Sequence, residues 1–274
     1  MTLDQLPPLR ETLAEHDLLA KKSFGQHFLL DLNITRKIAR LAEVGEGDHV
    51  IEVGPGPGGL TRALLETGAK VTAVEADPRF APLLEELSVA SGGALTLRLE
   101  DALKTNEAEV AAGAPAHIVS NLPYNVGTPL LIKWLTGAFT PASMTLMFQK
   151  EVADRIAAEP GSDAYGRLSV IAQATSHTAV VMDVPARAFT PPPKVASAVA
   201  RLTPRADRPA SERLDALQRV TAAAFGQRRK MLRSSLKVLG GAELCEAAGI
   251  APEARAETID IPGFLALADA LRRR

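Results

Sequence analysis

The sequence predicts an α/β fold: a doubly wound, mostly parallel sheet with an antiparallel hairpin at one edge, followed by a small all-helical C-terminal domain. Three observations lead there. From His49 onward, short apolar runs alternate with stretches of helical period, the spacing of a parallel sheet with crossover helices. Two later runs, Ala179 to Val184 and Ala196 to Leu202, leave no room for a helix between them, so they are expected to pair antiparallel at the sheet edge. Beyond the polar, proline-rich T-P-R-A-D-R-P-A-S, from Thr203 to Ser211, the periodicity is helical throughout.

Each element follows from local pattern. Residues 1–20 are polar and interrupted by Pro7 and Pro8, which predicts an arm or short helix outside the core. Residues 21–205 then form the sheet domain and 206–274 the helical one. After Lys21 to Asp31, Ile34, Ile38 and Leu41 share one face of a helix. Strands are expected at His49 to Val53, Val71 to Val74, Leu95 to Leu99, Ala116 to Ser120 and Met144 to Phe148. Helices fall between them at Leu60 to Glu66, Pro78 to Ala90 and Thr128 to Leu135. The second of these opens with Asp77 as N-cap and Pro78 at its first position. Lys150 to Ala157 and Arg167 to Thr175 are further helices, and past the linker come Leu214 to Phe225, Arg228 to Leu239, Ala242 to Ala248 and Phe264 to Leu271.

Composition narrows the function classes. The 274 residues, 46% hydrophobic, suffice for one large domain and a small one. No run approaches the ~20 apolar residues of a membrane span, and the start lacks a basic-then-apolar secretory pattern, so a soluble cytoplasmic protein is expected. The single cysteine, Cys245, excludes an internal disulfide and a thiolate-cluster metal site, and the five histidines lack ligand spacing, so no metal is expected. Net charge is −1, but it is unevenly spread. Met1 to Ala200 carries 17 basic against 23 acidic residues, and Arg201 to Arg274 carries 14 against 9.

The stretch E-V-G-P-G-P-G-G-L-T, Glu52 to Thr61, follows the first strand of the sheet. Gly54, Gly56 and Gly59 satisfy G-x-G-x-x-G and Glu75 lies 21 residues beyond Gly54, the spacing of a nicotinamide dinucleotide site. The chemistry argues otherwise. Backbone N–H groups hold a pyrophosphate, and Pro55 and Pro57 remove two of them while Glu52 adds negative charge. A loop short of donors and rich in carboxylate suits a cationic ligand without phosphate, and S-adenosylmethionine carries a sulfonium and an ammonium. The next strand ends at Glu75, where a carboxylate can accept from both ribose hydroxyls. The strand after that ends at Asp101, which can accept from an adenine amino group, with the Ala102 N–H donating to the ring. All lie at C-terminal strand ends, where such sheets bind ligands.

The fourth strand stops at Asn121-Leu122-Pro123-Tyr124, with Ile118 and Val119 as its apolar run and Pro123 as its breaker. The Asn121 side-chain oxygen and the Leu122 carbonyl form a pair of acceptors for an amino group on a flat ring, and Tyr124 can stack on that ring. An exocyclic adenine amine is a poor nucleophile because its lone pair is delocalised. Two acceptors on its hydrogens favour a pyramidal nitrogen, so orientation and electrostatics carry the catalysis and no strong base is expected.

N-L-P-Y, together with F-G-Q-H-F-L (Phe24 to Leu29), the glycine loop, F-Q-K-E-V-A-D-R-I (Phe148 to Ile156), F-T-P-P-P-K-V (Phe189 to Val195) and F-G-Q-R-R-K-M-L (Phe225 to Leu232), resembles the ribosomal RNA adenine dimethyltransferase family, in its ribosome-biogenesis branch. The resemblance implies a Rossmann-like class I methyltransferase sheet and S-adenosylmethionine as donor. It implies as acceptors two adjacent adenines near the 3′ end of small-subunit rRNA, in an immature subunit, each becoming N6,N6-dimethyladenosine. It implies donor contacts at His27, Leu29, Gly54, Glu75, Asp101 and Asn121, and catalytic or target-base contacts at Asn121, Leu122, Tyr124 and Phe189. Many relatives have Asn in place of His27. Phe189, set opposite Tyr124, is expected to form the second wall of a slot for a flipped base. The family's habit also implies a monomer.

Arg228, Arg229, Lys230, Arg233 and Lys237 concentrate the C-terminal basic charge, with Arg229, Arg233 and Lys237 at i, i+4 and i+8 of one expected helix. That is the footprint of phosphate binding, and the resemblance makes RNA the expected partner. Three other readings remain: a large-subunit rRNA methyltransferase of the antibiotic-resistance type, a nicotinamide oxidoreductase, and a mainly non-catalytic checkpoint of small-subunit assembly.

Overall fold

The structure, a computed structural model, describes residues 2–16, 18, 27–227 and 229–274. Its elements run α1 (Leu9–Glu15), β1 (Phe28–Leu29), α2 (Leu32–Ala42), β2 (His49–Val53), α3 (Gly59–Leu65), β3 (Lys70–Glu75), α4 (Ala81–Ala90), β4 (Leu95–Leu99), α5 (Glu107–Ala111), β5 (Ala116–Asn121), α6 (Gly127–Thr136) and β6 (Met144–Gln149). They continue with α7 (Lys150–Ile156), α8 (Arg167–Thr175), β7 (Ser176–Val184), β8 (Phe189–Thr190), β9 (Ser197–Pro204), α9 (Ser211–Gly226), α10 (Leu232–Ser235), α11 (Gly241–Ala247) and α12 (Ile261–Arg272).

The main sheet has the order β4-β3-β2-β5-β6-β9-β7. Its first five strands are parallel, with Val53 beside Val74 and Ile51 beside Ile118, and β9 and β7 supply the antiparallel edge. Val50 and Ile51 point to opposite faces of the central strand and both are fully buried, as a strand covered by helices on both sides requires. Chain direction across the sheet reverses between β2 and β5: from β2 the order runs outward to β3 and β4, and from β5 outward to β6. The cleft at the C-terminal ends of those two strands is therefore where an open α/β sheet takes its ligand.

Two compact units divide the chain. The first comprises Met1–Leu130, Pro141–Ala153 and Val180–Arg201, and the second Leu131–Thr140, Asp154–Ala179 and Leu202–Arg274. The first is built on an apolar core that includes Ile38, Val50, Leu64, Leu84 and Val119. In the second, Phe225 stacks on Phe264 at 5.4 Å and meets the edge of Tyr165, whose hydroxyl donates to the Ile259 carbonyl at 2.8 Å.

Two expectations are corrected. The N-terminal segment does not stay outside the core: Leu9 and Leu13 of α1 are buried, Leu13 completely, and the Arg62 guanidinium donates to the carbonyls of Leu3, Leu6 and Pro7. An amphipathic turn with two leucines on one side is enough to dock, despite the flanking prolines. The continuous helix over Arg228 to Leu239 is also absent. Arg228 lies outside the described residues, Met231 is extended (φ −64°, ψ 151°) and bridges Arg255, and α10 spans only Leu232–Ser235 before a single 3-10 turn, Lys237–Leu239. Tertiary bonds override the helical period here, because the N–H groups of Leu232 and Arg233 donate to the carbonyls of Ala254 and Pro252 while Leu232 and Leu236 are drawn into the core.

Candidate active site

Between β2 and α3 the chain turns on three glycines in the left-handed region: Gly54 (φ 67°), Gly56 (φ 54°) and Gly58 (φ 83°). With Pro55 and Pro57 lacking N–H groups, the donors left in this loop are all engaged. Gly54 N–H donates to the Val74 carbonyl at 2.9 Å, Gly56 N–H to Glu75 Oε2 at 3.0 Å and Gly58 N–H to the Pro55 carbonyl at 3.0 Å. A loop whose N–H groups are already spent on the protein has none to offer a pyrophosphate.

Carboxylates dominate the loop's surroundings. Glu52 is 1% exposed and its Oε2 has no hydrogen-bond partner among the described residues. Burial pushes its carboxyl up to about 8, against the opposing pull of the nearby Thr61 hydroxyl, and the neighbouring Glu75 charge adds to the effect. Glu75, 7% exposed, accepts from Gly56 and, at 2.8 Å, from Asp77 N–H. Burial raises its carboxyl as well, against the opposing pull of those N–H groups. Asp101, just past β4, is exposed and caps a turn by accepting from Leu103 N–H at 3.0 Å.

The elbow lies directly against this loop. A Cβ on Gly54 would stand 3.3 Å from the Pro123 ring, so the glycine loop and the elbow are in contact, and Ser120 Oγ donates to the Val53 carbonyl just beneath. Leu122 is buried and its N–H donates to the Met147 carbonyl at 3.3 Å, which fixes the end of β5. The Asn121 side-chain amide and the Leu122 carbonyl make no hydrogen bond among the described residues. Tyr124 is half-buried, and its hydroxyl is bonded to Ser197 Oγ at 2.9 Å.

The pairing of β1 with β8 brings in the remaining residues. Leu29 stands opposite Phe189 and Phe28 opposite Thr190. The Leu29 carbonyl lies so close to the first turn of α3 that a Cβ on Gly59 would come within 2.8 Å of it. Phe189 is only 3% exposed and belongs to the core cluster with Phe28. The ring beside Tyr124 is that of His27, 6.2 Å between centroids and tilted 31°, and His27 Nδ1 donates to the Pro191 carbonyl at 2.7 Å. His27, Leu29, Gly54, Glu75, Asn121, Leu122, Tyr124 and Phe189 thus belong to one unit with a linked set of contacts, and Asp101 lies just past β4 of the same sheet. Phe24 to Gln26 of the first motif lie outside the described residues. Ser197, which holds Tyr124, carried no signal in sequence, and Pro191, which holds His27, was visible only as part of the F-T-P-P-P-K-V motif.

A model of the ribosomal RNA adenine dimethylase family matches residues 18–273. The chain belongs to that family. It is 74% identical over 275 residues to the ribosomal RNA small subunit methyltransferase A of Phenylobacterium zucineum, covering 100% of this chain and 96% of that protein. It is 72% identical over 252 residues to the protein of the same name from Caulobacter vibrioides, covering 92% and 97%. Among solved structures, a dimethyladenosine transferase from Plasmodium falciparum superposes with a TM-score of 0.74 at 27% identity over 88% of this chain and 96% of that one. The 23S rRNA methyltransferase ErmE does so with 0.68 at 27% identity, over 89% and 99%.

As a member of this family the protein is a methyltransferase acting on adenine of ribosomal RNA, with S-adenosylmethionine as methyl donor. The loop fits that donor. A buried Glu52 carboxyl oxygen without a partner, which a bound cation would favour in its ionised form, the buried Glu75 carboxyl beside it and glycines that let the backbone come close make a cradle for a cation.

In the second unit an open concavity of about 680 Å³ is lined by Lys230, Arg233, Ser234, Lys237 and the run Gly240 to Glu243. Lys230 and Lys237 have no ion-pair partner among the described residues, and Arg233 reaches Glu253 only at 3.5 Å. The expected face of Arg229, Arg233 and Lys237 is therefore replaced: Lys230 joins Arg233 and Lys237 around a hollow, and Arg229 sits in the preceding turn.

Proposed function

We propose that the protein dimethylates N6 of two adjacent adenines near the 3′ end of small-subunit rRNA, in an immature subunit, as a cytoplasmic monomer. The observation that carries this reading is the pair of unengaged acceptors, the Asn121 side chain and the Leu122 carbonyl, next to the Gly54–Pro123 contact. His27, Leu29, Gly54, Glu75, Asp101 and Asn121 hold the donor, which supplies an electrophilic methyl group on a sulfonium. Asn121 and Leu122 accept from the two N6 hydrogens and turn the nitrogen lone pair toward that methyl, and Tyr124 stacks on the flipped base. Phe189 supports this slot from the core. Residues 21–205 act as the catalytic domain. Residues 206–274 grip RNA, with Lys230, Arg233 and Lys237 meeting phosphate and Arg228 and Arg229 adding charge to the same domain.

The reading is supported by the names of the relatives at 72–74% identity. The test is to incubate the protein with labelled S-adenosylmethionine and either immature small subunits, naked small-subunit rRNA or large-subunit rRNA, and then to map the modified nucleotides. Dimethyladenosine at two neighbouring positions of the small-subunit RNA is expected. Label confined to large-subunit RNA would overturn the assignment.

A further inference from the structure

We propose that Ser197, on β9, is a positioning residue for the target base: its hydroxyl pins the Tyr124 ring and, through it, the far end of the elbow. The inference rests on the reading of the cleft as an adenine N6 site and adds to it a residue from the antiparallel part of the sheet.

The strand order explains how a residue so far along the chain comes to serve the elbow. β6 lies between β5 and β9, so the chain leaving β5 at Asn121 passes the end of β6 before Tyr124 meets β9. Two hydrogen bonds mark that path. The Leu122 N–H donates to the Met147 carbonyl of β6 at 3.3 Å, and the Tyr124 and Ser197 hydroxyls are bonded at 2.9 Å. Pro123, whose ring fixes its φ, stands between the two. The Leu122 carbonyl and the Tyr124 ring, two of the groups that meet the base, are thus held between anchors on neighbouring strands.

Ser197 has the properties of a fixed partner. It is fully buried, and the preceding Ala196 carbonyl accepts from Lys150 N–H at 2.9 Å, which ties its backbone to the end of β6. Its hydroxyl makes no other hydrogen bond among the described residues. Tyr124, by contrast, is half-buried. The phenol oxygen is the atom of that side chain farthest from Cβ, so holding it fixes the long axis of a ring that χ1 rotation would otherwise swing. Stacking depends on that axis, because a face that turns away loses its overlap with the base. With its hydroxyl spent on Ser197, Tyr124 meets the base by its face alone. Ser197 itself acts only through Tyr124.

A pair of hydroxyls that merely satisfied each other would set stability and leave the rate alone, and a double-mutant cycle separates the two roles. Ser197→Ala, Tyr124→Phe and the double variant are compared with wild type in single-turnover methylation of immature small subunits at saturating concentration. Donor affinity by calorimetry and the thermal midpoint are measured for each protein. Each single variant is expected to lose about fivefold in rate, the worth of one neutral hydrogen bond, and the double variant to lose no more than either. Donor affinity should stay within about twofold of wild type. Ser197→Cys keeps the volume and offers only a weak hydrogen bond, so it should follow Ser197→Ala in rate, and it takes that variant's place in the cycle if alanine folds poorly. Ser197 variants with the wild-type rate, whatever their thermal midpoint, overturn the assignment. So does a double variant whose loss is the product of the single losses, or a rate deficit matched by weakened donor binding. A wild type that transfers no methyl group to rRNA adenine sinks both this inference and the reading of the cleft, whereas active proteins with independent losses sink only this one.

Discussion

Around the glycine loop the polar groups are short, and the loop's own N–H groups are already bonded to the protein, with Glu75 holding Gly56 and Asp77 and Ser120 holding Val53. Around Lys230, Arg233 and Lys237 the polar groups are long, exposed and largely unpaired. The first region is made of short, directional groups whose position is set by strand ends. The second is made of charge on flexible stems, whose position matters little beyond the hollow it lines. Chemistry at one nitrogen needs the former, because a misplaced acceptor loses its effect within an ångström. Holding a polyanion needs only the latter, because Coulomb attraction falls off slowly and is not directional.

That contrast is broken most directly at the elbow. Asn121→Ala removes one of the two acceptors and is expected to lower single-turnover methyl transfer about 100- to 1,000-fold, the scale of a lost oxyanion-type contact. Its thermal midpoint should stay near that of wild type, since the side chain makes no hydrogen bond among the described residues. A loss below tenfold would mean that Leu122 alone orients the amine. Next comes Tyr124. Substitution by Ala should cost about 1–3 kcal/mol of transition-state stabilisation through lost stacking. Substitution by Phe keeps the ring and gives up only the bond to Ser197, so it should cost about 1 kcal/mol. Equal losses in kcat/KM for the two variants would place the function of Tyr124 in its hydroxyl instead of its ring.

The two regions were unequally legible in sequence. The strand ends were readable because a parallel strand is an uninterrupted apolar run that stops at a breaker: His49 to Val53 and Leu95 to Leu99 fall where the pattern put them, and Pro123 marks the elbow. The candidate donor residues Glu75 and Asp101 were picked out by their acceptor chemistry together with their place at or just past those ends. Arg228 to Leu239 was misread because its leucines and basic residues keep a helical period while Leu232 and Arg233 bond instead to Ala254 and Pro252, a long-range preference that no local window contains. Phe189 was read as a slot wall from the family resemblance, set opposite Tyr124. Its burial depends on the pairing of β8 with β1, two-residue strands too short to leave a period. The docking of α1 was hidden similarly, by prolines that signalled an arm while Leu9 and Leu13 supplied the anchor.

The basic region offers a weaker but cleaner test. With Lys230, Arg233 and Lys237 all changed to Gln, the slope of log affinity for rRNA against log salt should flatten by about 2, as expected for three phosphate contacts on largely single-stranded or irregular RNA. Affinity should fall most at low salt, and methyl transfer at saturating RNA should change little. A slope that does not move would mean that the hollow meets no phosphate.

The smallest expected effect on methyl transfer tests the buried carboxylate of the loop. The Glu52 carboxyl is pushed up to about 8 by burial, against an ordinary value of 4.5 in the unfolded chain. Between those values the folded protein holds a proton that the unfolded chain has released, so stability falls as pH rises. The contribution is complete below pH 4.5 and is lost progressively up to about pH 8. Gln has the same shape and nothing to lose. Without donor, Glu52→Gln should therefore melt close to wild type at pH 5 and above it by roughly 10 °C at pH 8, on the scale that links free energy to Tm in a chain of this size. Adding S-adenosylmethionine reverses the ranking at pH 8, because a cation near the loop favours the ionised carboxylate and gives Gln no such return. Melting curves that stay parallel across this range, with and without donor, would show that Glu52 keeps one charge state throughout. The loop would then bind its donor through hydrogen bonds and shape, and the contrast with the open basic region would narrow to a difference in exposure.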